Sequence, residues 1–162
     1  MSVNRDKPYV WVLPEDDDNR KLANGFHQQV AWNRQRQIQV FPIAGGWTKV
    51  LDQFNTEHAP ELDRFPEGFM ILLIDFDNDE RRLRDVKDTI PERFAERVFV
   101  LGSLDEPKDL RNAGLGSCEA IGRALAKDCA EDTNDTWGHE LLRHNAAEID
   151  RLRDRVRPIL FQ

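Results

Sequence analysis

The run Phe69-Met70-Ile71-Leu72-Leu73-Ile74 restricts this chain more than any other stretch. Six apolar residues without a break, arriving after Pro66 and Gly68, are too few for a buried helix and do not alternate, so they predict a strand covered on both faces. Such a strand belongs inside a sheet flanked by helices. It runs into Asp75-Phe76-Asp77-Asn78-Asp79, and if the extended conformation persists that far, the three carboxylates project to one side. Like charges so close repel unless a cation or a set of donors stands among them. The carboxyl edge of a parallel sheet is also where α/β proteins bind ligands, so a hard divalent ion, Mg²⁺ or Mn²⁺, is the first functional expectation. Asp and Asn are equally ordinary turn and helix-capping residues, and for any one cluster taken alone that reading is the stronger.

Other stretches supply similar ends. Residues 8–13 predict a first strand, and Glu15, Asp16, Asp17 and Asp18 follow it, with Asn19 as the expected cap of a helix to about Asn33 that turns Leu22, Phe26 and Val30 inward. At least two of these four acids are expected only to complement the helix dipole. Residues 37–43 alternate as a second strand, and Gly45-Gly46 leads into an amphipathic segment with Val50, Leu51 and Phe54. Amides at such a turn can meet an anion, but the Walker spacing is missing and a plain turn is preferred. Residues 58–68 read as a loop. Glu80–Thr89 predicts a short solvated helix with Leu83 and Val86 inward, and its Arg81, Arg82, Arg84 and Lys87 are the best local candidates for a phosphate contact.

Residues 97–102 make the fourth strand, and Ser103, Asp105, Glu106 and Asp109 lie beyond it. Residues 118–129 and 137–156 predict two more helices, the second with Leu141, Leu142, Ile149, Leu152 and Val156 as its apolar stripe. His139 and His144 stand five apart where one helical face needs four, so they are expected on the surface or at a cap. The alternation of strand and helix predicts an α/β fold: one domain over residues 1–162, three-layered, with a mostly parallel four-stranded sheet in a core of residues 8–110 and C-terminal helices over 117–157. Acids after strands one, three and four would then share one edge, which turn chemistry alone does not require.

Composition narrows the function classes. The net charge of −7 opposes independent tight binding to a polyanion, so a nucleic-acid role needs metal ions, a local basic patch or a partner. The longest apolar runs are far short of a membrane span and the N-terminus lacks an apolar signal region, so no membrane role and a cytoplasmic location are expected. Cys118 and Cys129 lie roughly 16 Å apart along one predicted helix, too far to bond, and read as reduced core residues.

The segment Val12-Leu13-Pro14-Glu15-Asp16-Asp17-Asp18-Asn19 resembles the strand-end Glu-Gly-x-x-Asp of TOPRIM domains, and Asp75-Phe76-Asp77 is similar to their Asp-x-Asp signature. Gly45-Gly46-Trp47 and Glu106 resemble features of the overcoming-lysogenization-defect type nucleases within that group. The resemblance covers residues 8–110 and departs at Asp16, where the family has glycine. It implies phosphodiester cleavage with Mg²⁺ or Mn²⁺ held by Asp75 and Asp77, with Asp18 as the second acid of the first motif; Asp79 is a metal candidate from the alternation alone. In that reading Glu15 serves as second-ion ligand or general base, Glu106 positions it, and Lys49 or Lys108 offsets phosphate charge. Such nucleases carry or work with an ATPase, so a partner ATPase is implied along with a nucleic-acid substrate. Tyr9, the only tyrosine, opens a strand and is not expected to act as a nucleophile. Two rivals remain. Glu15-Asp16-Asp17, Asp75 and Ser103 also resemble the acidic pocket, phosphoacceptor and switch hydroxyl of a receiver domain, whose fifth strand and Lys-Pro pair are missing here. An inactive module that binds a partner through its acidic edge is the other.

Overall fold

Four strands, β1 (Tyr9–Pro14), β2 (Ile38–Val40), β3 (Gly68–Leu73) and β4 (Val98–Leu101), pair side by side in a computed structural model that describes residues 2–161. All pairings are parallel and the order is β2-β1-β3-β4. The apolar run at 69–74 is the third strand, inside the sheet as expected: Met70 and Leu72 are fully buried and Ile71 nearly so. Strand β2 is shorter than its alternation suggests. Pro42 has no amide to give a ladder, and beyond Val40 the chain stays beside β1 only through single bonds, Phe41 N to Val12 O at 2.9 Å and Ala44 N to Pro14 O at 3.0 Å.

Each face of the sheet has its own core. On one, Val10, Val12, Ile71, Phe99 and Leu101 pack with residues of α1 (Asp17–Gln28), α6 (Cys118–Glu131) and α7 (Ala146–Arg155). On the other, Tyr9, Trp11, Leu13, Met70, Leu72, Val98 and Val100 meet α2 (Trp47–Gln53), α3 (Ala59–Arg64) and α4 (Glu80–Thr89). This division follows from the path of the chain. It moves from β1 to β2 in one direction and from β2 past β1 to β3 in the other, and right-handed crossovers in opposite directions put their helices on opposite faces. The carboxyl ends of β1 and β3 therefore flank the point where the sheet reverses.

Three sequence expectations need correction. Helix α1 is capped by Asp16, not Asn19, and ends at Gln28, with a 3-10 segment at Trp32–Gln37 in place of its last turn. Gln35 Nε2 donates to the carbonyls of His27 and Val30 at 3.1 and 2.7 Å and holds that break. The stretch read as a loop over 58–68 is helical as far as Arg64: a π turn at Phe54–His58 runs into α3, with Pro60 in its first turn, where a missing amide costs no helical bond. The single helix expected over 137–156 is broken, because Asp128 of α6 accepts the amides of Thr136 and Trp137 at 2.7 and 3.1 Å and pins that segment before α7 starts. A short α5 (Pro107–Asn112) precedes α6, and a final turn, α8 (Arg157–Leu160), follows α7. Cys118 and Cys129 are both free and buried, as expected.

Two contacts specify how the helices sit. Where α1 crosses α6, a Cβ on Gly25 would overlap the Glu119 carbonyl, and one on Gly122 would overlap the Leu22 carbonyl, so the backbones touch through two glycines. At the open edge of β4, Glu148 Oε2 accepts the Val100 amide at 2.9 Å, and Asn145 exchanges two bonds with Gly102, at 3.2 and 2.9 Å. Side chains of α7 and the turn before it thus take the bonds that another strand would make.

Candidate metal centre

Glu15 follows β1 directly, and Asp75 lies two residues beyond β3, so the central pair of strands delivers both carboxylates to the switch point. Glu15 is 8% exposed and Asp75 6%. Their link is specific: Glu15 Oε2 accepts the Asp75 amide at 2.8 Å, while Glu15 N donates to Leu73 O at 2.9 Å. Asp16 joins them because it caps α1. Its Oδ1 accepts the Asn19 amide at 3.0 Å, and from that position Asn19 Nδ2 reaches both Asp16 Oδ1 at 3.0 Å and Asp75 Oδ1 at 2.9 Å. Asn19 is fully buried and orients two of the three acids.

Oxygen atoms of Glu15, Asp16 and Asp75 all lie within 4.8 Å of one another. Two oxygens facing each other across a Mg²⁺ are about 4.2 Å apart, so one small ion is within reach of all three after a modest contraction. The donor set is hard oxygen alone, which suits Mg²⁺ or Mn²⁺ and not a thiolate- or imidazole-seeking metal. Without a cation the site answers its charge with a proton. Burial foremost pushes the Asp75 carboxyl up to about 8; the Asn19 amide opposes this, and the Asp16 and Glu15 charges add to it. A hydrogen bond between the Asp16 and Asp75 side chains acts in the same direction, since only a protonated carboxyl donates one. Glu15 is raised as well, chiefly by burial, with the Asp75 amide and Arg82 pulling it back.

The remaining predicted residues have other partners. Asp77 does not continue the alternation from Asp75, because the strand ends at Leu73 and Asp77 adopts a left-handed backbone with φ 47°, followed by Asn78 at φ 56°, although its charge still reaches Glu15 and adds to the rise in that carboxyl's pKa. Its carboxylate pairs with Arg82 Nη1 at 2.7 Å. Asp79 caps α4 by accepting the Arg81 amide at 3.0 Å. Asp18 faces α5 and α6, its oxygens 3.9 Å from Arg111 Nη2 and from Cys118 Sγ. Glu106 opens α5 and pairs with Lys108 at 3.0 Å, and it is not among the three acids that cluster. Lys49 is exposed on α2, its ammonium folded over the Gly45 turn, and Gly45 N donates to Glu15 O at 2.9 Å. Tyr9 is fully buried against Gly68 and reaches no solvent. His139 Nδ1 accepts the Leu141 amide at 3.2 Å, a local cap, and His144 meets Phe76 edge-on at 5.0 Å.

Of the predicted set, then, the fold brings Glu15 and Asp75 together and adds Asp16, which sequence reasoning had set against the helix dipole, and Asn19, which it had made the helix cap. The spacing Asp16 to Asn19 was a usable signal: a residue at the third helical position turns back over the cap, and so over the strand end. No protein-family model, curated protein or solved structure matches this chain.

Proposed function

We propose that this chain is a Mg²⁺- or Mn²⁺-dependent domain for phosphodiester cleavage, as the TOPRIM resemblance implies, with Glu15, Asp16 and Asp75 as the cation's carboxylates. The observation that carries this reading is the convergence of those three groups within 4.8 Å at the sheet's reversal point, two of them buried. When bound, the ion supplies charge stabilisation to a phosphodiester and makes water a readier nucleophile. The chain's own residues set up the rest. Glu15 ties the two strand ends through its bond to Asp75 N, Asn19 holds Asp16 and Asp75 in register, and the depth of Asp75 keeps water from screening the cluster. Burial keeps a proton on Asp75 at neutral pH, and a cation held by these carboxylates would have to displace it.

The net charge of −7 repels nucleic acid, so cleavage by the chain alone is expected to be weak and to rise with the ATPase partner that the resemblance implies. Mn²⁺ titration by calorimetry, wild type against Asp75→Asn, tests the site; digestion of single- and double-stranded DNA and RNA with and without Mn²⁺ tests the activity. Binding in the wild type that Asp75→Asn abolishes supports the reading. A wild-type protein that takes up no divalent cation ends it.

Two observations favour a second reading, a receiver-like phosphoacceptor. The order β2-β1-β3-β4 matches the first four positions of the flavodoxin-like 2-1-3-4-5 sheet, and Ser103, just beyond β4, is 1% exposed. Against it, Asn145 and Glu148 occupy the edge where the fifth strand would pair. Phosphorylation of Asp75 by acetyl phosphate would select this reading over cleavage.

A further inference from the structure

Among the basic residues of α4, Arg82 turns back to the carboxyl edge of the sheet. Arg81 and Arg84 are exposed, and Lys87 Nζ reaches Glu148 Oε1 at 2.6 Å, far from the cluster in the fold's layout. The Arg82 side chain is 15% exposed and lies over the end of β3. Nη1 donates to the Asp75 carbonyl at 3.0 Å and to Asp77 Oδ2 at 2.7 Å, and the guanidinium sits 5.0 Å from the Trp47 ring centroid. Its charge acts on Glu15, lowering the pKa that burial raises. A guanidinium carries five donors, and both of these bonds use one nitrogen; the planar fork of the other two nitrogens is the geometry that grips phosphate oxygens.

Asp77 is the weakly held half of the pair. Its side chain is 55% exposed, and it stands in a turn with two successive left-handed non-glycine residues, held by Asn78 N to Leu104 O at 2.7 Å and Asp79 N to Phe76 O at 2.8 Å. An exposed carboxylate on a partly buried guanidinium lying over a Trp ring is readily exchanged for another anion.

We infer that Arg82 is the phosphate-binding residue of this site and that Asp77 occupies it in the substrate's place: a phosphodiester oxygen arriving over Glu15, Asp16 and Asp75 takes the guanidinium from Asp77, and the displaced carboxylate is freed to join the cation's ligands. The inference rests on reading the cluster as a cation site for phosphoryl chemistry. It makes anion and cation binding mutually favourable, and it assigns to Arg82 the role that the TOPRIM resemblance implies for Lys49 or Lys108.

The test uses the full chain without metal and inorganic phosphate as the probe, read by calorimetry and by the fluorescence of Trp47 beside Arg82. Arg82→Gln is expected to weaken phosphate binding by about 10-fold. Asp77→Asn removes the competing carboxylate, and asparagine tolerates the left-handed turn, so phosphate binding is expected to tighten by about 3- to 5-fold. A gain is not what a damaged fold produces. Phosphate affinity unchanged in Arg82→Gln, or unchanged or weakened in Asp77→Asn, overturns the inference. Mn²⁺ titration of the same proteins separates the two readings: wild type that binds Mn²⁺ with phosphate affinity indifferent to both substitutions removes Arg82 alone, whereas wild type that binds no Mn²⁺ removes the cation site on which the inference stands.

Discussion

The Glu15 carboxylate accepts the backbone amide of Asp75 at 2.8 Å, so the side chain that ends β1 fastens the turn that ends β3. One residue thus serves as clamp and candidate ligand, and the two roles separate by substitution.

Glu15→Gln keeps the acceptor and removes a charge that repels Asp16 and Asp75, so urea denaturation is expected to show stability at or above wild type while Mn²⁺ affinity falls. Glu15→Ala leaves a buried amide without a partner and is expected to cost about 1–3 kcal/mol. Equal destabilisation by both would contradict the clamp.

Asp75 predicts a pH dependence with a definite sign. Its folded pKa of about 8 stands above the ordinary value of 3.8, so the folded state holds an extra proton between the two. The stability this group contributes is fully present below about pH 4 and is lost as pH rises through about 8. Denaturation midpoints of wild type relative to Asp75→Asn should therefore fall across that window. Mn²⁺ affinity should rise across it, since the cation must displace the proton. A wild-type midpoint that tracks Asp75→Asn at every pH would refute the shift.

Glu148 stands in for a neighbour of β4. It is 2% exposed, accepts the Val100 amide at 2.9 Å, and takes Lys87 Nζ and Arg151 Nη1 at 2.6 Å each. Glu148→Ala opens that edge and strands a buried amide, a loss of about 1–3 kcal/mol in urea denaturation, with concentration-dependent aggregation from the exposed strand. A monodisperse variant of wild-type stability would show the edge is closed by other means.

Gly25 and Gly122 let α1 and α6 touch backbone to backbone. Alanine gains about 1 kcal/mol over glycine in a free helix. Here it collides with a carbonyl, and Gly25→Ala or Gly122→Ala is expected to cost about 1–3 kcal/mol, read as a lower Tm. A raised Tm would mean the helices separate cheaply.

The strands and the charged helix were legible because their signals are local. Residues 69–74 are an unbroken apolar run too short for a buried helix and set off by Pro66 and Gly68, and Glu80–Thr89 begins and ends where its pattern does. The helix expected over 137–156 failed for the opposite reason: its apolar stripe is real, with Leu142, Ile149, Leu152 and Val156 all buried, but Asp128 captures the Trp137 amide from a distant helix. Half the candidate site was legible in the same sense. Glu15 and Asp75 follow strands, whereas Asp77 was assigned by alternation that its own turn interrupts.

The sequence by itself determined which segments become strands, that they lie parallel between two layers of helix, and that carboxylates gather at their ends, because burial periodicity and chain connectivity carry that information. Only the tertiary structure decided which carboxylates meet. A left-handed turn sends Asp77 to Arg82, a cap draws Asp16 inward, and Asn19 bridges to Asp75 across 56 residues, choices made by backbone dihedrals and hydrogen bonds that residue types do not reveal.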